Sequence, residues 1–433
     1  MKHSLRHSTL GCMLGALTAT SVGSACTGHS GDSQESSEPT SPAPSDAGGV
    51  GPSHGDDGGG ASPPPSDESG APHQVSTAAP AVQFVGRFDT REDAGPKCAW
   101  PGCRVIAQFT GTDRISVTLE ELALPWMQGG PSEWDVAIDG VLQPKLVLQL
   151  GSHDYVLAEG LSPDDAHTVE LYRRSEAQNG VTRFVGYDFH DGTLLSPPPR
   201  ARTSRRLEVI GDSQVAAFGV EGAAVGPNCP GIHWAAHYEN FRESFGALMG
   251  ERFGAEVFGT AYSGKGMARN ITSTDRETMP ILFGRTNPLD ASSVWDWSWI
   301  PDVVVVQIGG NDFAIHLPVD DGPPTFDEFT SAYRGFVTNV RNHYPNAFLL
   351  LVLSASTRED IPPGRASRTN VWSALERIVG EHVQQGDDKI ANFAPPTASE
   401  DERRGCGGHG TPEFHQRIAK QIGDVLSEKV GWN

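Results

Sequence analysis

Five short runs between Leu207 and Phe393 ("LEVIG", "AEVFGTA", "PDVVVVQIGG", "AFLLLVLSA" and "DKIANF") are almost continuously apolar and rich in β-branched residues. A run apolar at nearly every position has no solvent face, so each reads as a strand buried on both sides. Helical patterns fall between or after them, near 236–252, 326–342, 369–383 and 412–430. Strand and helix in alternation fold as a parallel sheet with helices on both faces. Ligands meet such sheets beyond the carboxyl ends of the strands. Ser213, Ser263, Asn311 and the glycine-rich segment around His409 all fall at that edge.

The chain before this region reads differently. From about Val82 to Gly192, short runs such as "RVIAQFTG", "RISVTLEEL" and "WDVAIDG" alternate apolar and polar residues at period two and are cut by turn dipeptides. This predicts an antiparallel β-sandwich over 81–200, with "SPPPRAR" marking a boundary near 197–202 before a second domain, 201–433. Residues 27–80 are dense in Ser, Pro, Gly and Asp and nearly free of bulky apolar side chains, so they are expected to form a disordered tether. Residues 1–26 carry Lys2 and Arg6 ahead of a small, apolar stretch ending in "GSAC" and are read as an export signal. "GSAC" resembles a lipoprotein cleavage box, which makes Cys26 the candidate for lipidation even though Gly23 replaces the usual leucine. The expected location is extracytoplasmic, either anchored through that lipid or secreted.

Lys and Arg number 33 against 54 Asp and Glu, a formal charge of −21 that repels phosphate backbones and anionic lipid surfaces. Nucleic acid is excluded as an expected partner, and a membrane enters only through the N-terminal anchor. Four cysteines remain after Cys12 and Cys26: Cys98, Cys103, Cys229 and Cys406. An even number in an oxidising compartment favours disulfides, and no second Cys or His pair follows "CAWPGC" at metal-binding spacing. No metal is expected.

Ser213 in "GDSQVAAFG" stands where a hydroxyl projects from the sheet edge at a helix start; the competing role is a cap or turn serine. The last glycine of a G-x-S-x-G elbow is missing, Val215 being there, which argues against an α/β-hydrolase. Three further features accompany Ser213: Gly264 in "AYSGKGMARN", Asn311 in "QIGGNDF", and His409 in "GCGGHGTPEFHQRIAKQI" ahead of the last helix. Thr411 and Pro412 form a helix-start signature, and Phe414, Ile418 and Ile422 repeat at i, i+4 and i+8. His409 therefore precedes the helix on a loop, whereas His415 lies within it, in a structural or solvent-facing role.

In that order the four blocks resemble the SGNH (GDSL-type) hydrolases, and most of all the carbohydrate esterase family 2 pattern, in which a jelly roll precedes the SGNH domain. The resemblance implies an exported serine esterase that removes O-acetyl groups from a poly- or oligosaccharide such as xylan or glucomannan, without a cofactor. It implies Ser213 as nucleophile, His409 as base, and an oxyanion hole made by the amides of Ser213 and Gly264 with the side-chain NH2 of Asn311. Gly266 is the alternative if the loop is aligned two residues later. The aspartate usual three residues before the family histidine is replaced by Cys406, and Asp401 is eight residues away. A Ser213–His409 dyad is therefore expected, with a backbone carbonyl holding the imidazole as in some family 2 esterases. The aromatic residue usual just before that histidine is Gly408 here. Disulfides are expected between Cys98 and Cys103 and between Cys229 and Cys406, the latter tying the loop after "GDS" to the loop bearing His409. Trp295, Trp297 and Trp299 are candidates for a sugar site or, more in keeping with their setting, core anchors. Alternative functions are a general SGNH carboxylesterase, an envelope-glycan deacetylase, and a carbohydrate-binding surface lipoprotein with an inactive hydrolase domain.

Overall fold

The computed structural model describes residues 81–122, 130–196, 205–230 and 235–433. The expected export signal, Cys26, the tether and the 197–202 boundary all lie outside the described residues.

The N-terminal part forms two antiparallel sheets. One runs Gln83–Val85, Arg104–Thr110, His167–Arg173, Glu133–Ile138 and Val141–Leu142, with Thr193–Leu194 and Leu146–Val147 added to its second and fourth strands. The other runs Lys97–Cys98, Val181–Asp188, Arg114–Leu122 and Gly151–Glu159.

 The period-two alternation seen in the sequence buries every second residue of Arg104–Thr110, and the two sheets meet through Phe84 against Phe184 (ring centroids 5.6 Å apart) and a hydrogen bond from Tyr187 Oη to the Val105 carbonyl (3.0 Å). Cys98 and Cys103, both buried, are joined in a disulfide at one end of this sandwich.

The C-terminal part is a five-stranded parallel sheet. In chain order its strands are β1 (Arg206–Gly211), β2 (Glu256–Ala261), β3 (Val303–Gln307), β4 (Phe348–Val352) and β5 (Ile390–Phe393). Their spatial order is β2-β1-β3-β4-β5, with Leu207 opposite Val303 and Val303 opposite Phe348. Every residue of β3 and β4 is buried, which is why both read as unbroken apolar runs. Helices α1 (Ser213–Ala216), α2 (Phe245–Phe253), α3 (Phe326–His343), α4 (Ser367–Gln384) and α5 (Pro412–Val430) follow the strands. The order reverses between β1 and β3, so the loops after these two strands diverge and leave a crevice at their carboxyl ends.

Helix α5 begins where the Thr411–Pro412 signature puts it, with Thr411 Oγ1 accepting from Phe414 N (3.4 Å). Phe414, Ile418, Ile422 and Leu426 on one face of it are fully buried against β1, β3 and β4. Burying such side chains contributes about 1.5–3 kcal/mol each, which fixes the helix and the loop just before it. The helix expected over 236–252 is instead broken: Ala235–Tyr238 ends early, and α2 restarts at Phe245. Side-chain oxygens explain the break. Asn240 accepts from Arg242 N (3.1 Å) and Ser244 from Ala247 N (3.0 Å), so each begins a new turn.

The sandwich is tied to the sheet by a buried ion pair. Arg87 reaches Glu208 of β1 at 2.7 Å, also donates to the Phe283 and Arg285 carbonyls, and lies over Trp295, 4.9 Å from its ring centre. Trp299 stacks on Phe258 (3.8 Å) and Trp297 on His343 (3.6 Å). The tryptophan triplet is thus packing material.

Candidate active site

Ser213 is the first residue of α1, two residues beyond the end of β1. The helix is capped by Asp212, whose Oδ1 accepts from Gln214 N (3.1 Å), so the Ser213 hydroxyl is not used as a cap. It meets His409 instead, Oγ to Nε2 at 2.8 Å. The other imidazole nitrogen, Nδ1, lies 2.8 Å from the Cys406 carbonyl. A carbonyl only accepts, so Nδ1 carries the hydrogen and Nε2 presents its lone pair to the serine hydroxyl. Phe218 lies against the imidazole, with ring centres 4.6 Å apart. Burial lowers the His409 pKa below the ordinary 6.5, opposed by the bond to Cys406, and this favours the neutral ring.

The loop carrying His409 is held covalently. Cys406 is bonded to Cys229, and both are buried. Gly222 permits this approach: a Cβ there would stand 2.1 Å from the Cys406 sulfur. Asp401 is exposed and stands apart from the imidazole's two polar contacts. His415 is fully buried in α5, stacked on Phe245 and accepting from Phe245 N at Nδ1 (3.3 Å). Of the two roles weighed for it, the structural one stands and the solvent-facing one falls. Burial depresses its pKa to about 3. Acid therefore opposes folding as the pH falls from about 6.5, where the unfolded histidine takes up a proton that the native one refuses.

Asn311 follows β3 across the crevice. One hydrogen of its amide donates to the Lys265 carbonyl (2.8 Å), and the nitrogen lies 3.5 Å from Asp212 Oδ2. The loop supplying that carbonyl is fastened by Asp312: Oδ2 accepts from Met267 N, and Oδ1 from Ala268 N and Arg269 N, at 2.6–2.8 Å. Of the two glycines considered in this loop, Gly266 spends its N–H on Asn270 Oδ1 (3.0 Å). The Gly264 N–H has no partner among the described residues, and its φ of +77° suits glycine. Ser213, Asn311 and His409 line one cleft of about 470 Å³, together with Ile271, Ile315, Ile361 and two arginines, Arg358 and Arg403. Gly264 and Lys265 line a second cavity of about 380 Å³ that reaches Gln178 of the sandwich. Among the described residues, no group of three or more His, Cys, Asp or Glu is placed to hold a metal ion.

The profile of the family described as "Carbohydrate esterase 2 N-terminal" matches residues 84–199, and that of the "GDSL-like Lipase/Acylhydrolase family" matches 209–417. The chain matches, in order, the N-terminal domain of carbohydrate esterase family 2 and a GDSL-type hydrolase domain. Cellulase/esterase CelE of Acetivibrio thermocellus is 28% identical over 357 residues, which are 82% of this chain and 40% of CelE, so the chain spans less than half of that relative. An acetylxylan esterase / glucomannan deacetylase of Cellvibrio japonicus is 24% identical over 83% of this chain and 92% of its own. A solved family 2 esterase of Clostridium thermocellum in complex with cellohexaose superposes with a TM-score of 0.71, at 27% identity over 81% of this chain and all of that one.

Several contacts in this chain carry no local sequence signal. The Lys265 carbonyl that orients Asn311 and the three amides gathered by Asp312 join segments more than 40 residues apart. Asp312 itself was visible as the last letter of "GND", but its partners were not.

Proposed function

We propose that this chain is a serine esterase that removes O-acetyl groups from carbohydrate, with Ser213 as nucleophile and His409 as general base. The observation that carries the reading is the 2.8 Å contact between Ser213 Oγ and a His409 Nε2 whose lone pair is directed at it, within a cleft shared with Asn311. The family match and the names of the Cellvibrio relatives support the substrate class, acetylated plant polysaccharide such as xylan or glucomannan. The N-terminal sequence supports export, with Cys26 as the lipidation site.

His409 Nε2 takes the hydroxyl proton as Ser213 Oγ bonds to the acetyl carbon. The carbonyl oxygen gains the negative charge and is met by donors from Ser213 N, Gly264 N and Asn311 Nδ2. Collapse breaks the bond to the sugar oxygen, which leaves with the proton from His409. Water then gives a proton to the same nitrogen, attacks the acetyl-serine, and releases acetate and the free hydroxyl. As the pH falls through the depressed His409 pKa, the ring is protonated and the base is lost, so turnover declines on the acid side.

The test is acetate release from a panel of acetylated xylan, glucomannan and bacterial envelope glycans, beside 4-nitrophenyl acetate. Release from the plant polysaccharides is the expected result. Hydrolysis of the nitrophenyl ester alone would leave a general carboxylesterase, and release from envelope glycan alone would move the substrate to the cell's own surface. Asn311→Ala is expected to lower kcat by on the order of 10²-fold, the loss typical of one oxyanion donor; an unchanged kcat would remove Asn311 from the hole.

A further inference from the structure

Glu176 belongs to the sandwich, just beyond the strand His167–Arg173, yet its carboxylate touches the hydrolase sheet edge. It is completely buried. Both of its oxygens are engaged by Ser263, one by the backbone N–H and the other by the hydroxyl, and Gln178 Nε2 donates to Oε1 as well (2.9 Å). Glu176 is itself held from behind: its own N–H donates to Oε1 of Glu239 (3.0 Å), whose Oε2 takes the Asn179 amide (2.7 Å). A second buried carboxylate thus stands next to the first, and burial pushes Glu176 up to about 7. Burying acids in this way costs stability. The nearby cation Arg173 spends its hydrogens on carbonyls of Ser175, Glu176 and Gly180 and on Thr182, rather than on the Glu176 carboxylate.

What this costly contact fixes is the peptide joining Tyr262 to Ser263 together with the Ser263 side chain, so the residue from which the next peptide sets out is held in place. The Gly264 N–H is part of that next peptide unit, so the setting of Ser263 aims it. The far side is fixed as well, Gly264 O accepting from Ile271 N (2.8 Å). A donor held on both sides needs no reorganisation when charge develops on a substrate oxygen.

We propose that Glu176 is a positioning residue for the Gly264 oxyanion donor, by which the sandwich takes part in turnover; this rests on the esterase reading above. Glu176→Gln replaces one acceptor with a donor, so the side chain can no longer accept from Ser263 N, Ser263 Oγ and Gln178 Nε2 together, while Ser263→Ala removes the hydroxyl side of the same contact and keeps the backbone.

The experiment measures kcat and KM for 4-nitrophenyl acetate in the full chain and in E176Q, S263A and the double variant, with active sites counted by titration of Ser213 with a fluorophosphonate. Each single variant is expected to lose about tenfold in kcat with KM within about twofold, a fraction of what deleting a donor costs. The double variant should lose no more than the worse single, because both remove one contact. Wild-type kcat per active site in both singles, or losses that multiply in the double, would overturn the inference while leaving the esterase reading standing. Should E176Q fail to fold, S263A decides alone: an undiminished kcat overturns the inference. A wild-type chain inactive on every ester would overturn both.

Discussion

Ser213→Ala is expected to abolish ester hydrolysis and leave the fold unchanged. The hydroxyl makes one side-chain contact, with His409, and the cap that starts α1 belongs to Asp212, so the helix keeps its first turn when the oxygen is gone. The residue is half-buried at the mouth of the cleft, and removing one polar atom there opens no core cavity. Nucleophile and base act as one unit, and loss of either member of such a unit has cost on the order of 10⁶ in kcat. The measurement is kcat on 4-nitrophenyl acetate beside a thermal melt. Unchanged turnover in a folded Ser213→Ala protein would end the serine-esterase reading.

His409→Ala should lower kcat by at least about 10³-fold. Two comparison variants give that number its meaning. His415→Ala is expected to lower the melting temperature and largely spare kcat, because His415 is buried in α5 against Phe245 and faces no part of the cleft lining. Asp401→Asn should cost less than about tenfold, far below the roughly 10⁴ lost when a triad carboxylate is removed, because the imidazole is already oriented by the Cys406 carbonyl. A large loss in Asp401→Asn would restore an acidic third member, and a large kcat loss in His415→Ala with His409→Ala unaffected would exchange the base.

The features legible in the sequence share a physical cause: each is decided within a few residues. Apolar runs buried on both faces become β1 to β5, and Thr411–Pro412 with Phe414, Ile418 and Ile422 becomes the start and packed face of α5. Because strand order places loop residues at one edge, Ser213, Asn311 and His409 converge from positions almost 200 residues apart. Local signals misled where a side chain competed with the helix, as Asn240 and Ser244 do inside 236–252. They were silent where a contact spans domains. Nothing near Glu176 in "RRSEAQNG" announces that its carboxylate ends on Ser263, 87 residues later. A backbone carbonyl as the histidine's partner was foreseeable in kind, and so was the bond from Cys406 to Cys229, since the even set of exported cysteines has to pair; which carbonyl the imidazole would use is a matter of tertiary placement.

Cys406 divides its labour between main chain and side chain. In the proposed mechanism the base is oriented by a carbonyl that almost any amino acid would supply, so the side chain at 406 is free for another use. That freedom lets the side chain become one half of a covalent clamp spanning 177 residues of sequence. The partner of the imidazole is also a dipole without a proton to gain, so it remains an acceptor in acid that would neutralise a carboxylate. An arrangement of this kind exchanges the strength of a full counter-charge for a partner that acid leaves unchanged.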